Sequence, residues 1–126
     1  MEENPELRAV TEKMLESIRK EYGFVPVVNQ VMSERPDVFV PMANVGKAVL
    51  EKGVLEKKQK DLCALSAATV LAGEYCIDVQ MRQAMAAGAT RDEIFEAIMV
   101  GSYMAMTRSE SYAFRKFAKN YGIDLE

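Results

Sequence analysis

Gly73-Glu74-Tyr75-Cys76-Ile77-Asp78-Val79-Gln80 leads through Arg82-Gln83-Ala84 to Ala87-Gly88-Ala89-Thr90-Arg91-Asp92-Glu93-Ile94. Gly73 interrupts a run of helix formers, and residues 76–87 restart as a helix of small side chains. Gly88 is placed to close it, because a glycine just past the last turn adopts the left-handed backbone that ends helices. Thr90 and Glu93 stand at the reciprocal spacing of a capping box, so another helix opens there. Upstream, Leu62, Leu65, Thr69 and Ala72 recur at helical spacing, and Ala64, Ala67 and Ala68 keep that helix thin enough for close neighbours. Residues 56–61 read as its solvated opening turn. The segment therefore predicts an antiparallel pair, residues 56–72 and 75–87, with residues 94–106 packed against it.

The same signals extend to both ends of the chain. Pro5 suits a first helical turn, Leu7, Val10, Met14, Leu15 and Ile18 form one stripe, and Gly23 stops the helix after Tyr22. A short helix follows Pro26, within residues 25–33. Pro36 starts another that reaches Glu51 or Lys52, with a bend or a later start where Pro41 falls, and Gly53 ends it. A final helix is predicted from near Ser109, carrying Tyr112, Phe114, Phe117 and Tyr121. β-branched alternation is absent while Ala, Met, Leu, Glu and Lys abound. The expected fold is all-α, six or seven helices in a single domain over residues 1–126.

Composition removes several function classes. The 126 residues carry 16 Lys+Arg against 19 Asp+Glu, a net charge of -3, so no basic face for nucleic acid is expected. Histidine is absent, which withdraws imidazole as general base, proton shuttle or metal ligand. Two cysteines fall short of a structural zinc site and of a secreted disulfide framework. No metal or cofactor is implied. The acidic start, Met1-Glu2-Glu3-Asn4-Pro5, is no secretory signal, and the apolar runs at residues 62–73 and 97–106 are too short to cross a bilayer. A cytoplasmic protein without membrane contact is expected.

The quoted stretch resembles the core of the carboxymuconolactone decarboxylase and alkylhydroperoxidase D family. The likeness covers residues 20–118 and is tightest over 58–100; Tyr22-Gly23-Phe24-Val25-Pro26 and Glu34-Arg35-Pro36-Asp37 add to it. The family's redox branch carries two cysteines three apart, then a histidine four residues after the second. Here those positions hold Gly73, Cys76 and Gln80, and a relay carboxylate expected twelve residues before Gly73 is matched by Asp61. The resemblance implies an alkylhydroperoxidase D-like helical bundle assembled as a trimer or hexamer. It makes Cys76, Asp61 and Gln80 the candidate catalytic residues.

The substitutions limit the chemistry. A dithiol peroxidase needs an attacking thiolate and a resolving thiol nearby. Gly73 cannot resolve, and the neutral amide of Gln80 neither takes a proton nor carries charge. The lactone decarboxylase branch also keeps a histidine at position 80, so its proton donor is missing too. Three readings stay open. The first is a one-cysteine thiol redox protein acting through Cys76. The second is a non-catalytic oligomeric module binding a small apolar ligand or a protein partner. The third is a decarboxylase or isomerase using carboxylates alone; Asp61, Glu74 or Tyr75 could replace the missing histidine as proton donor only where a pocket shifts their pKa values. Against these stand plainer roles: Cys63 as a small buried hydrophobe, Asp61 as a first-turn carboxylate suited to the helix dipole, and Gln80 as a polar core residue. On the same view Glu74 and Asp78 are solvated, and the nine methionines pack cores and subunit interfaces.

Overall fold

The computed structural model describes residues 4–126; residues 1–3 of the acidic start lie outside the described residues. It is all-α, with six helices and no strand among the described residues. Two compact units divide the chain, Met1–Lys60 and Asp61–Glu126.

In the first unit, α1 (Pro5–Tyr22) starts where Asn4 Oδ1 accepts from the N–H groups of Glu6 and Leu7, at 3.0 and 3.3 Å. The side chain thereby satisfies donors that the first turn leaves unpaired. The helix ends on Gly23 at φ 79°, as the sequence predicts. The short α2 (Val27–Met32) and then α3 (Pro36–Glu51) follow. α1 and α2 both pack on α3, and Phe39 is the large side chain buried between them and it, with Thr11, Val25 and Ser33 also inside. Arg8 Nη1 donates to the Ser33 carbonyl at 3.0 Å and ties α1 to the end of α2. The sequence left open a later start for α3. The helix begins at Pro36 and continues through Pro41, because Pro41 lies early enough that the one backbone bond it forfeits falls at the solvated end. Arg35 and Asp37 pair across that start at 2.6 and 2.9 Å, and the guanidinium hydrogen bond holds the Asp37 carboxyl below its ordinary range. At the far end, Lys60 Nζ donates to the carbonyls of Val49 and Lys52, a cation placed on the negative pole of α3.

The second unit comprises most of α4 (Lys57–Leu71), with α5 (Glu74–Ala86) and α6 (Arg91–Tyr121). Asp61, Leu65 and Ala68 form one buried stripe on α4; Val79 and Ala84 are buried on α5, and Gly101 and Ala118 on α6. α4 and α6 approach closely at Gly101: a Cβ built there would lie 2.4 Å from the Ser66 carbonyl oxygen. The capping box at Thr90 and Glu93 is formed in both directions, at 2.7 and 3.1 Å.

Two readings of the sequence need correction here. The last two predicted helices are one: α6 spans 31 residues and runs straight past Ser109. Thr107 and Ser109 do not cap a new helix; their hydroxyls donate back to the carbonyls of Met104 and Ala105, at 3.1 and 3.2 Å, inside the existing one. Asp61 is neither solvated nor in a first turn. It is the fifth residue of α4, and its exposure is 0%.

Between α4 and α5 the chain turns in a Schellman arrangement, with Gly73 N–H on the Ala68 carbonyl and Ala72 N–H on that of Thr69. The left-handed position in it is held by Ala72, at φ 54°, where glycine is usual. A Cβ in that region costs about 1–2 kcal/mol. Ala72→Gly should therefore stabilise the protein by about 1 kcal/mol despite the entropy that glycine adds to the unfolded chain. Urea unfolding checks this, and an unchanged or lower midpoint would count against the strained turn.

Candidate functional site

Gly73 is the N-cap of α5, in ordinary extended backbone at φ -83°, ψ 99°, and no side chain caps the helix. Cys76 is the third residue of α5, its thiol exposed. The uncapped N–H groups of the first turn and the aligned peptide dipoles surround its backbone, an environment that favours an anion. Gln80 follows one helical turn later on the same face. It is half-buried, and its Oε1 is buried with no hydrogen-bond partner among the described residues. Glu74 and Asp78 point to solvent as expected, Asp78 pairing with Arg82 at 3.2 Å.

The position of the missing thiol is still shaped for one. A Cβ added to Gly73 would lie 3.5 Å from the Cys76 Cβ and 3.7 Å from its sulfur. That Cβ separation falls at the short edge of the range of disulfides, about 3.5–4.5 Å. The backbone at Gly73 does not call for glycine, so the loss of the resolving thiol is not a demand of the turn.

Cys63 stands on α4, the seventh residue of that helix, and it is exposed rather than buried as the sequence suggested. Small neighbours made it look like core, but its face of the helix is not the Asp61–Leu65–Ala68 stripe. Both cysteines are free thiols. Cys76 and Gln80 thus share a face of α5, while Asp61 stands on the preceding helix, shut away from water. A wholly buried carboxylate is expensive to keep. Its burial was invisible in a run that reads Lys57-Lys58-Gln59-Lys60 just before it, and the strained Ala72 beside Gly73 carried no sequence signal either.

No group of three or more Cys, Asp or Glu side chains stands ready to hold a metal ion among the described residues. A shallow depression along α1, lined by Glu12, Leu15, Glu16, Arg19 and Lys20, holds no nucleophile and lies on the first unit. No helix among the described residues is long and apolar enough to cross a membrane.

An all-helical chain with a cysteine in the first turn of a small-residue helix, a buried carboxylate on the helix before it and a capping box after it defines a narrow class. The chain belongs to the carboxymuconolactone decarboxylase family, which it matches over residues 36–119, a span that includes parts of both units. It is also similar to "Uncharacterized protein 4 in cox locus" of Paracoccus denitrificans, at 32% identity over 88 residues, covering 70% of this chain and 77% of the relative. No solved structure matches it.

Proposed function

We infer that the protein is a one-cysteine thiol redox member of its family, with Cys76 as the reacting group. The observation that carries this reading is an exposed thiol in the uncapped first turn of α5. The Cys76 thiolate attacks one peroxide oxygen, the O–O bond breaks, and the departing alkoxide leaves as an alcohol on taking a proton. Sulfur is left as a sulfenic acid. With glycine at position 73, resolution falls to a thiol from outside the chain. That thiol condenses with the sulfenic acid, water leaves, and a second external thiol attacks the outer sulfur to release Cys76. Gln80 offers its amide to the sulfur or the peroxide by hydrogen bonding only. Asp61, buried on α4, is assigned the relay role by its family position alone.

Timed alkylation with peptide mass mapping tests this on the native protein. Cys76 should label several-fold faster than Cys63, although both are exposed. Peroxide followed by a sulfenic-acid trap should mark Cys76 alone, and Asp61→Asn should slow that oxidation. Equal, slow labelling at both sites would remove the redox reading.

The second reading, a non-catalytic oligomeric module for a small apolar ligand or a protein partner, is favoured by the surface. The chain exposes 9614 Å². Two separate compact proteins of half its mass would together expose about 8,100 Å², about 1,500 Å² less than this chain does. Large apolar side chains supply the difference, including Val27, Met42, Phe95 and Phe117, each at least half exposed. Such area needs cover, and a homo-oligomer, the trimer or hexamer implied by the family, is the economical source in either reading.

A further inference from the structure

We propose that Gly73 sets which reductant the site takes: it leaves the place beside the Cys76 sulfur open to the CH2 group of a low-molecular-mass primary thiol. The inference rests on the thiol redox reading above and names its second substrate. A Cβ on Gly73 would lie 3.7 Å from Cys76 Sγ and 3.5 Å from its Cβ. Its two chain neighbours aside, it would meet nothing else within 4 Å among the described residues. A helical side chain leans toward the N-terminus, over the turn before its own Cα. The short distance to position 73 follows from that lean, so the sulfur faces Gly73.

The chemistry needs a carbon at that place. The Cys76 sulfenic acid and an incoming thiol, R–CH2–SH, give a mixed disulfide and water, the thiol sulfur bonding to Sγ as the S–O bond breaks. A second thiol attacks the outer sulfur, leaving R–CH2–S–S–CH2–R and the Cys76 thiolate. Over the cycle one peroxide is reduced by two thiols to an alcohol and water. In the mixed disulfide the two carbons next to sulfur stand about 3.5–4.5 Å apart. The place a Cβ would take at Gly73 meets that condition, at 3.5 Å. Any side chain there other than cysteine occupies the ground that the thiol's carbon needs. The backbone, at φ -83° and ψ 99°, accepts any residue, so nothing in the turn itself requires glycine. Gly73 is half-buried, while Leu71, Ala72, Glu74 and Tyr75 around it are exposed, Leu71 at 80% and Tyr75 at 71%. A small thiol passes such side chains; a folded protein must clear all of them to bring its cysteine down to position 73.

Single-turnover kinetics on the full chain, in a Cys63→Ser background, test the assignment. Hydrogen peroxide oxidises Cys76, and 2-mercaptoethanol then converts the sulfenic acid to a mixed disulfide that intact mass resolves. The rate of that condensation, divided by the rate of sulfenic acid formation, should fall several-fold in Gly73→Ala and further in Gly73→Val. Circular dichroism should keep the same helical signal throughout. Equal ratios with Gly, Ala and Val at position 73 would overturn the role of Gly73 and leave the redox reading in place. Sulfenic acid that 2-mercaptoethanol fails to consume, but a reduced dithiol redox protein does, would overturn the choice of a small thiol. A Cys76 that forms no sulfenic acid at all would remove the redox reading, and this inference with it.

Discussion

Gly101→Ala should destabilise the protein by about 3 kcal/mol, the upper part of the range for an overpacked contact. In an isolated helix the same change would help by about 1 kcal/mol, since alanine is the better helix former. Here the added Cβ would meet the Ser66 carbonyl oxygen at 2.4 Å, with Ser66 Oγ at 3.1 Å. The obstacle is backbone, so α4 or α6 must move as a whole. A second helical glycine supplies the control. Gly46 lies inside α3 and a Cβ there would meet nothing within 4 Å. Gly46→Ala should therefore stabilise by roughly 0.5–1 kcal/mol. Thermal and urea unfolding of both variants decide the matter. A harmless Gly101→Ala would show that α4 and α6 do not cross where they are placed.

Gly73→Cys combined with Gln80→His should raise dithiol-dependent peroxide turnover well above that of the wild-type chain. The first substitution restores a resolving thiol at a Cβ separation of 3.5 Å from Cys76, in backbone that accepts any residue. The second puts a base one helical turn from the sulfur, and general-base assistance contributes about 10²–10⁴-fold. Gly73→Cys alone should form an internal disulfide on mild oxidation, visible as the loss of both thiols at positions 73 and 76. The double variant should consume peroxide with a dithiol donor roughly 10²-fold faster than that single variant. Wild-type turnover equal to the double variant's would mean that neither the second thiol nor an imidazole matters to the chemistry of this scaffold. A single variant that forms no disulfide would mean that the turn at Ala72 is not as placed.

Local signals carried most of the helix boundaries. Asn4, Pro5 and Gly23 around α1, and Thr90 with Glu93 before α6, act on backbone groups within four residues of themselves, so their meaning is readable without knowing what lies opposite. The family motif at residues 73–80 is local in the same way. Cys76 in the opening turn of α5 and Gln80 one turn on follow from spacing alone, as do their departures from the redox pattern. The misplaced break near Ser109 arose where a local rule has two outcomes. A hydroxyl can cap a new helix or bond back into the old one, and the apolar face that α6 keeps from Phe95 to Phe117 favours continuity.

Only the tertiary structure decided which polar and small residues are enclosed. Asp61 follows a solvated lysine-rich turn yet is wholly buried, because its register on α4 coincides with Leu65 and Ala68. Cys63, in similar company, falls between those positions and stays exposed. Gly101 and Gly46 look alike in the sequence, each a glycine inside an apolar helix, but only one faces a neighbouring carbonyl. Caps and turns depend on contacts between near neighbours along the chain, which the order of residues states outright. Burial and close approach depend on which distant segment arrives at a given face, and that is set by how the helices pack.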